Sequence, residues 1–179
     1  MSDAIMSDLP LIRRPAIAAD APYHFGSLTL EHIVDGSVLQ LLGKPGVFSE
    51  ADAKGALTSD GSASLRPAGP GQWFLVSDRA ADIDGIARSL ADKAYVVDQT
   101  CGRSRIRLSG PAVRQSLAKG TGVDLHPDQF PVGHATMTLI GHIGVNLART
   151  GEDTFELLVL RGFAESLWHE LKVMSAEFA

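Results

Sequence analysis

Four alternating residues followed by a turn that no strand survives give the strongest constraint on this chain. Arg105-Ile106-Arg107-Leu108 puts charge and hydrocarbon on opposite sides with period two, the pattern of a strand with one wet face. Ser109-Gly110-Pro111 then stops the strand and starts a helix. A small polar residue or glycine suits the N-cap, and proline fits the first turn because its missing N–H would have no partner there. Val113, Leu117 and Ala118 give that helix a short apolar face, and Gly120 gives it a stop. Strands are predicted at Ala135–Ile140 and Ile143–Arg149, with Gly141 between them, and at Thr154–Leu160. A closing helix spans roughly Phe163–Val173. From Ser104 to Leu171 the chain reads as a β-α-β-β-β-α unit.

The preceding half has a related rhythm. Val38–Leu42 reads as a buried strand, and Ser49-Glu50-Ala51-Asp52 as a capping box with aspartate where glutamate or glutamine is usual, opening a helix through about Leu57. Thr58-Ser59-Asp60-Gly61 is a turn cluster. Ser64–Pro67 and Gln72–Val76 form a hairpin across Ala68-Gly69-Pro70-Gly71. Asp78 or Asp82 caps the next helix, over residues 81–91, whose Ile83, Ile86, Ala87 and Leu90 keep the spacing of a buried face. Tyr95–Val97 is one more strand. Each half is strand, helix, hairpin, helix, so the expected fold is α+β and pseudo-duplicated, with antiparallel sheets and helices on one face. The expected division is an extended arm at residues 1–30 and one domain at 31–179, made of lobes at about 31–103 and 104–179.

In the arm, Pro10, Pro15 and Pro22 interrupt every helix, and the apolar residues show no sustained period. It is either a frayed terminus or an extended segment docked on another surface. Leu9-Pro10-Leu11-Ile12-Arg13-Arg14 is too apolar for solvent, so Leu9, Leu11, Ile12, Arg13, Arg14 and Ile17 are expected to form a partner interface.

Composition narrows the function classes. A chain of 179 residues with 45% hydrophobic content and net charge −5 has the makings of a core and lacks the basic footprint of a nucleic-acid binder. No apolar run reaches the ~20 residues that cross a bilayer, and no signal peptide is evident. With Cys101 as its one cysteine the chain has no intrachain disulfide, so a cytoplasmic location is expected.

Self-contained chemistry is hard to find. There is no P-loop and no G-x-G-x-x-G after a strand, and Gly69-Pro70-Gly71 serves a hairpin. His24, His32, His126, His134, His142 and His169 are not paired at ligand spacing, so they read as turn or surface histidines, and no metal site is expected. Cys101, near Arg103, lacks a base that sequence can place, and reads as a small buried residue in a strand connection. Asp98 reads as a turn former. Asp124-Leu125-His126-Pro127-Asp128 resembles an acid–base set but suits a loop whose carboxylates bond local backbone. No catalytic, cofactor-binding or metal residue is therefore assigned.

One family carries many of these pieces in the same order. Val97-Asp98-Gln99-Thr100, Arg105 to Pro111, Leu117-Ala118-Lys119-Gly120, Asp124-Leu125-His126-Pro127, Phe130-Pro131-Val132-Gly133 and Arg149 to Val159 together resemble the gamma subunit of heterotetrameric sarcosine oxidase. The likeness covers about residues 70–173. It implies the aminomethyltransferase fold of the glycine cleavage T-protein, which the Leu108 to Ala112 turn also suggests. It further implies a complex with alpha, beta and delta subunits, and no nucleic acid or membrane. That complex would oxidise the N-methyl group of sarcosine to give glycine, hydrogen peroxide and a one-carbon unit passed to tetrahydrofolate or released as formaldehyde. FAD, FMN, NAD, zinc and tetrahydrofolate would belong to the partner subunits. T-proteins carry a catalytic aspartate where Gly141-His142-Ile143-Gly144-Val145-Asn146 aligns here, without a carboxylate. The expectation is a non-catalytic accessory subunit. The alternatives are a free-standing folate-binding one-carbon transferase, the equivalent subunit of a related N-methyl amino acid oxidase or dehydrogenase, or a plain interaction module.

Overall fold

A computed structural model describes residues 14–18, 22–56 and 63–179. Among the described residues ten strands form two antiparallel sheets. The first holds β1 (Tyr23–Phe25), β2 (Leu28–Ile33), β7 (Arg103–Ser109), β8 (Ala135–Ile140), β9 (Ile143–Gly151) and β10 (Thr154–Leu160), in the order β1-β2-β7-β10-β9-β8. The second holds β3 (Ser37–Gly43), β4 (Ala63–Gly69), β5 (Gln72–Ser77) and β6 (Ala94–Asp98), in the order β4-β5-β3-β6. The helices are α1 (Glu50–Gly55), α2 (Ile83–Leu90), α3 (Val113–Ala118) and α4 (Ala164–Ser175). None of these helices is long and apolar enough to cross a membrane.

Strand alternation sorts side chains into two kinds of layer. Leu30, Ile106, Leu108, Leu147, Phe155, Leu157 and Val159 point to one side of the first sheet and share a core with Val113 and Leu117 of α3 and Leu167 and Leu171 of α4. In the second sheet Leu41 and Ala94 pack with Ala53 of α1 and Leu90 of α2. The remaining faces meet each other. Val38, Phe74 and Val76 of the second sheet pack against Leu158 of the first.

This meeting overturns the expectation of a wet face on β7. Arg105 is buried, and its alternation partner Arg107 is only partly exposed. A polar stripe at period two marks a face that is not hydrocarbon. It does not say whether water or a second sheet lies opposite.

The arm expected over residues 1–30 is corrected in two places. Tyr23–Phe25 and Leu28–Ile33 form a hairpin on the two-residue turn Gly26-Ser27, with Phe25 opposite Leu28, and Gly26 takes a positive φ. The hairpin extends the sheet through β2–β7 pairing, Thr29 opposite Ser109. Residues 28–33 therefore belong to the sheet of the later lobe. Ile17, expected at a partner interface, is 2% exposed inside this chain's own core. A single side chain plugs a core without any repeating pattern, so periodicity could not assign it. Arg14 is exposed, and its carbonyl accepts a hydrogen bond from the Arg161 guanidinium at 2.7 Å. Leu9, Leu11, Ile12 and Arg13 lie outside the described residues.

Local chemistry explains several boundaries. Ser49 and Asp52 make the reciprocal capping box of α1, and the Asp82 carboxylate accepts from the Gly85 amide at the start of α2. Lys93 and Ser49 together hold the Asp52 carboxyl well below the usual carboxylate range. Helix α3 begins later than the turn suggests. Its N-cap is Ala112 with no side-chain cap, and Pro111 belongs to the preceding turn. Gly110 is required there, with φ at 124° and a position where an added Cβ would sit 2.0 Å from the Ser27 carbonyl oxygen.

Candidate functional site

The most concentrated polar chemistry lies in the seam between the sheets. Glu156 of β10 is 1% exposed. Its Oε1 accepts from Arg66 Nη2 and from Arg105 Nε, both at 2.9 Å, and its Oε2 accepts from Arg105 Nη2 at 3.0 Å. Arg105 also donates Nη1 to the Asp35 and Ser77 carbonyls at 3.2 and 3.1 Å, and Nη2 to the Asp78 carboxylate. Arg107 stands directly opposite both Glu31 and Glu156 across its two neighbouring strands, 3.6 Å from each carboxylate.

The electrostatics follow from burial and pairing. Burial alone would raise the Glu156 carboxyl, but the charges and hydrogen bonds of Arg66 and Arg105 outweigh it and hold the group below its ordinary range. Burial likewise acts to lower the Arg105 guanidinium, and Glu156 and Asp78 reverse that. For Arg66 burial wins, and its Nη1 is enclosed without a hydrogen-bond partner. These groups hold one another across two sheets. Gly36 lets the β2–β3 turn close onto them, since a Cβ there would meet the Ser77 carbonyl at 2.1 Å and Arg105 Nη1 at 2.8 Å.

Asn146, where the resemblance places a catalytic aspartate in relatives, joins the same seam. It is fully buried, and its Nδ2 donates to the Pro67 carbonyl of β4 at 2.8 Å. Its Oδ1 is enclosed with no donor. An amide here ties β9 to β4, which a carboxylate cannot do because it has no N–H to give.

The other singled-out residues are placed as follows. Asp98 accepts from the Thr100 amide at 2.8 Å and Asp124 from the His126 amide at 2.9 Å, the local turn bonds expected of them. Cys101 is exposed in the β6–β7 turn rather than a small buried residue. His142 and His169 share a surface hollow with Glu165 and Glu170, a juxtaposition of β-turn and helix that no sequence spacing revealed. Among the described residues no group of three or more His, Cys, Asp or Glu side chains is arranged to hold a metal ion. Beside the seam, a cavity of about 300 Å³ opens between the β2–β3 turn, the start of β7 and residues 15–16, with Arg103, Arg105 and Arg161 in its wall. Sequence reasoning weighed Arg103 only as a neighbour of Cys101.

Two packed antiparallel sheets, each backed by helices, define the class of fold. The same fold occurs in the aminomethyltransferase T of the glycine cleavage system from Bartonella henselae, with a TM-score of 0.60 and 17% identity over 82% of this chain and 46% of that one. The particular family follows from sequence: the profile of the "Sarcosine oxidase, gamma subunit family" matches residues 46–177, and the chain belongs to that family. It is 34% identical over 113 residues to the sarcosine oxidase gamma subunits of Corynebacterium sp. strain P-1 and of an Arthrobacter species, covering 62% of this chain and 56% of each relative. The matched region thus spans little more than half the length of those relatives. A chain of the heterotetrameric sarcosine oxidase from Corynebacterium sp. U-96, a complex with pyrrole 2-carboxylate, superposes with a TM-score of 0.76 and 27% identity over 87% of both chains.

Proposed function

We propose that this chain is the gamma subunit of a heterotetrameric sarcosine oxidase and that it serves the complex as a structural component without a catalytic centre of its own. The observation that carries the reading is the family match over residues 46–177, joined to a likeness that spans 87% of a chain from such a heterotetramer. In that role it works in the cytoplasm with alpha, beta and delta subunits. They hold FAD, FMN, NAD, zinc and tetrahydrofolate, and the assembly converts sarcosine to glycine, hydrogen peroxide and a one-carbon unit. The seam supports the accessory role, since Glu156, Arg66 and Arg105 bind one another and Asn146 binds backbone. The order β4-β5-β3-β6 is matched by β9-β10-β7-β2 in the other sheet, which supports an internal duplication with the hairpin strand β2 in the place of β6.

Leu9, Leu11, Ile12 and Arg13, together with exposed Arg14, are proposed to lie against a partner subunit, with Ile17 as the anchor in this chain. The test is co-expression of the four subunits with and without this chain, followed by affinity purification and a peroxide assay on sarcosine. Assembly and sarcosine-dependent peroxide should both fall when the chain is omitted. Deletion of residues 1–13 should weaken co-purification while leaving the isolated chain's melting temperature unchanged. Stoichiometric tetrahydrofolate binding and one-carbon transfer by the isolated chain would refute the accessory role.

A further inference from the structure

We propose that the cavity beside the seam is a binding site for a small carboxylate, with Arg103 as the group that receives it. The argument rests on how differently Arg103 is treated from the other arginines of the sheets. Arg66, Arg105 and Arg107 face carboxylates, and Arg149 donates to the carbonyls of Phe130, Gly151 and Glu152. The Arg103 guanidinium makes no hydrogen bond or ion pair with any described residue. It stacks over the Phe74 ring at 4.4 Å, and its Nε is enclosed with no acceptor. Burial lowers its pKa with nothing opposing it. A half-buried cation without a counter-ion is costly, and an anion in the adjoining cavity relieves that cost.

The walls select the ligand's chemistry. Ile33 and Val38 supply hydrocarbon, and Arg161 adds a second guanidinium, one of whose amino groups is held by the Arg14 carbonyl. Arg105 also lines the space, but its donors are spent on Glu156, Asp78 and two carbonyls. Asp35 contributes one carboxylate. Two unneutralised guanidiniums against one carboxylate suit a single negative charge and disfavour a doubly charged phosphate. The guanidinium fork matches a carboxylate, and about 300 Å³ is at the small end of ligand pockets, enough for an acid with one ring or a short chain. The inference goes beyond the subunit reading and does not depend on it.

The test is a calorimetric titration of the purified full-length chain with sodium benzoate, with sodium chloride holding ionic strength constant. Benzamide serves as the neutral analogue. Wild type should bind benzoate saturably and bind benzamide at least tenfold more weakly, and Arg103→Met should lose at least tenfold in benzoate affinity. Without ligand, Arg103→Met should melt at or above the wild-type temperature, which separates lost binding from lost folding. Arg103→Lys keeps the charge without the fork and should bind at least threefold more weakly than wild type, a comparison that stands even if the methionine variant folds poorly. Absence of saturable benzoate binding, equal affinity for benzamide, or wild-type affinity in both Arg103 variants would overturn the proposal.

Discussion

Replacing Glu156 by glutamine removes one negative charge from the point where two guanidiniums converge. The side chain keeps its shape and one acceptor, but Arg66 and Arg105 are left as buried cations facing each other, with Arg107 beside them and Asp78, at the rim, to offset them. Removing one partner of a buried ion pair costs about 3–5 kcal/mol, and glutamine's remaining acceptor puts this variant near the lower end. At roughly 2–4 °C per kcal/mol for a chain of this size, the melting temperature should fall by about 6–12 °C. The effect should depend on pH in one direction. The guanidiniums hold the native Glu156 carboxyl below its ordinary range, so between the native and unfolded values the unfolded chain binds more protons. The stabilisation is fully present above the ordinary glutamate range and is lost as pH falls through the depressed native value. Wild type and E156Q should therefore differ most near neutrality and converge in acid. Urea unfolding followed by circular dichroism from about pH 2 to 7 measures this. A variant that melts within 2 °C of wild type at pH 7, or a gap that widens in acid, would refute the reasoning.

Two further substitutions test other joints. Gly110→Val should lower the melting temperature, because it forces a β-branched side chain into positive φ and into the Ser27 carbonyl, a cost of about 3 kcal/mol or more from strain and clash together. Normal melting with a loss of complex activity would show a role other than backbone geometry. Ile17→Ala should destabilise the isolated chain by about 2–5 kcal/mol, the usual range for emptying a core site. Unchanged denaturant unfolding would return Ile17 to the partner interface.

Much of the chain in both lobes was legible because its signals are local. The capping box at Ser49, the Gly69-Pro70-Gly71 hairpin, and the strands around Gly141 each depend on neighbours a few residues apart, and each is found in place. The β1–β2 hairpin was missed because three prolines dominate the reading of the terminus, although the buried alternation of Leu28 and Leu30 was present. The seam was not legible at all. Arg66, Arg105 and Glu156 come from strands far apart in sequence, and an alternating arginine looks the same whether it faces water or a buried carboxylate. The family resemblance pointed to Asn146 as standing where T-proteins carry a carboxylate. That its amide bridges β9 to β4 required the packing of one sheet on the other.

The placement of β2 has a consequence for synthesis. Thr29 pairs with Ser109, so the first strand-forming hairpin emerges from the ribosome and waits while the whole of the second sheet is made. Until β7 follows, Leu28 and Leu30 have an open hairpin edge and no sheet to join. Closing that gap carries a large loop entropy and raises the contact order, which slows folding. The intervening segment at residues 37–98 includes every strand of its own sheet and both covering helices, so it can collapse first. A nascent chain stalled before Arg103 would then carry a formed second sheet and an unprotected N-terminal hairpin, the state most exposed to aggregation and to chaperones.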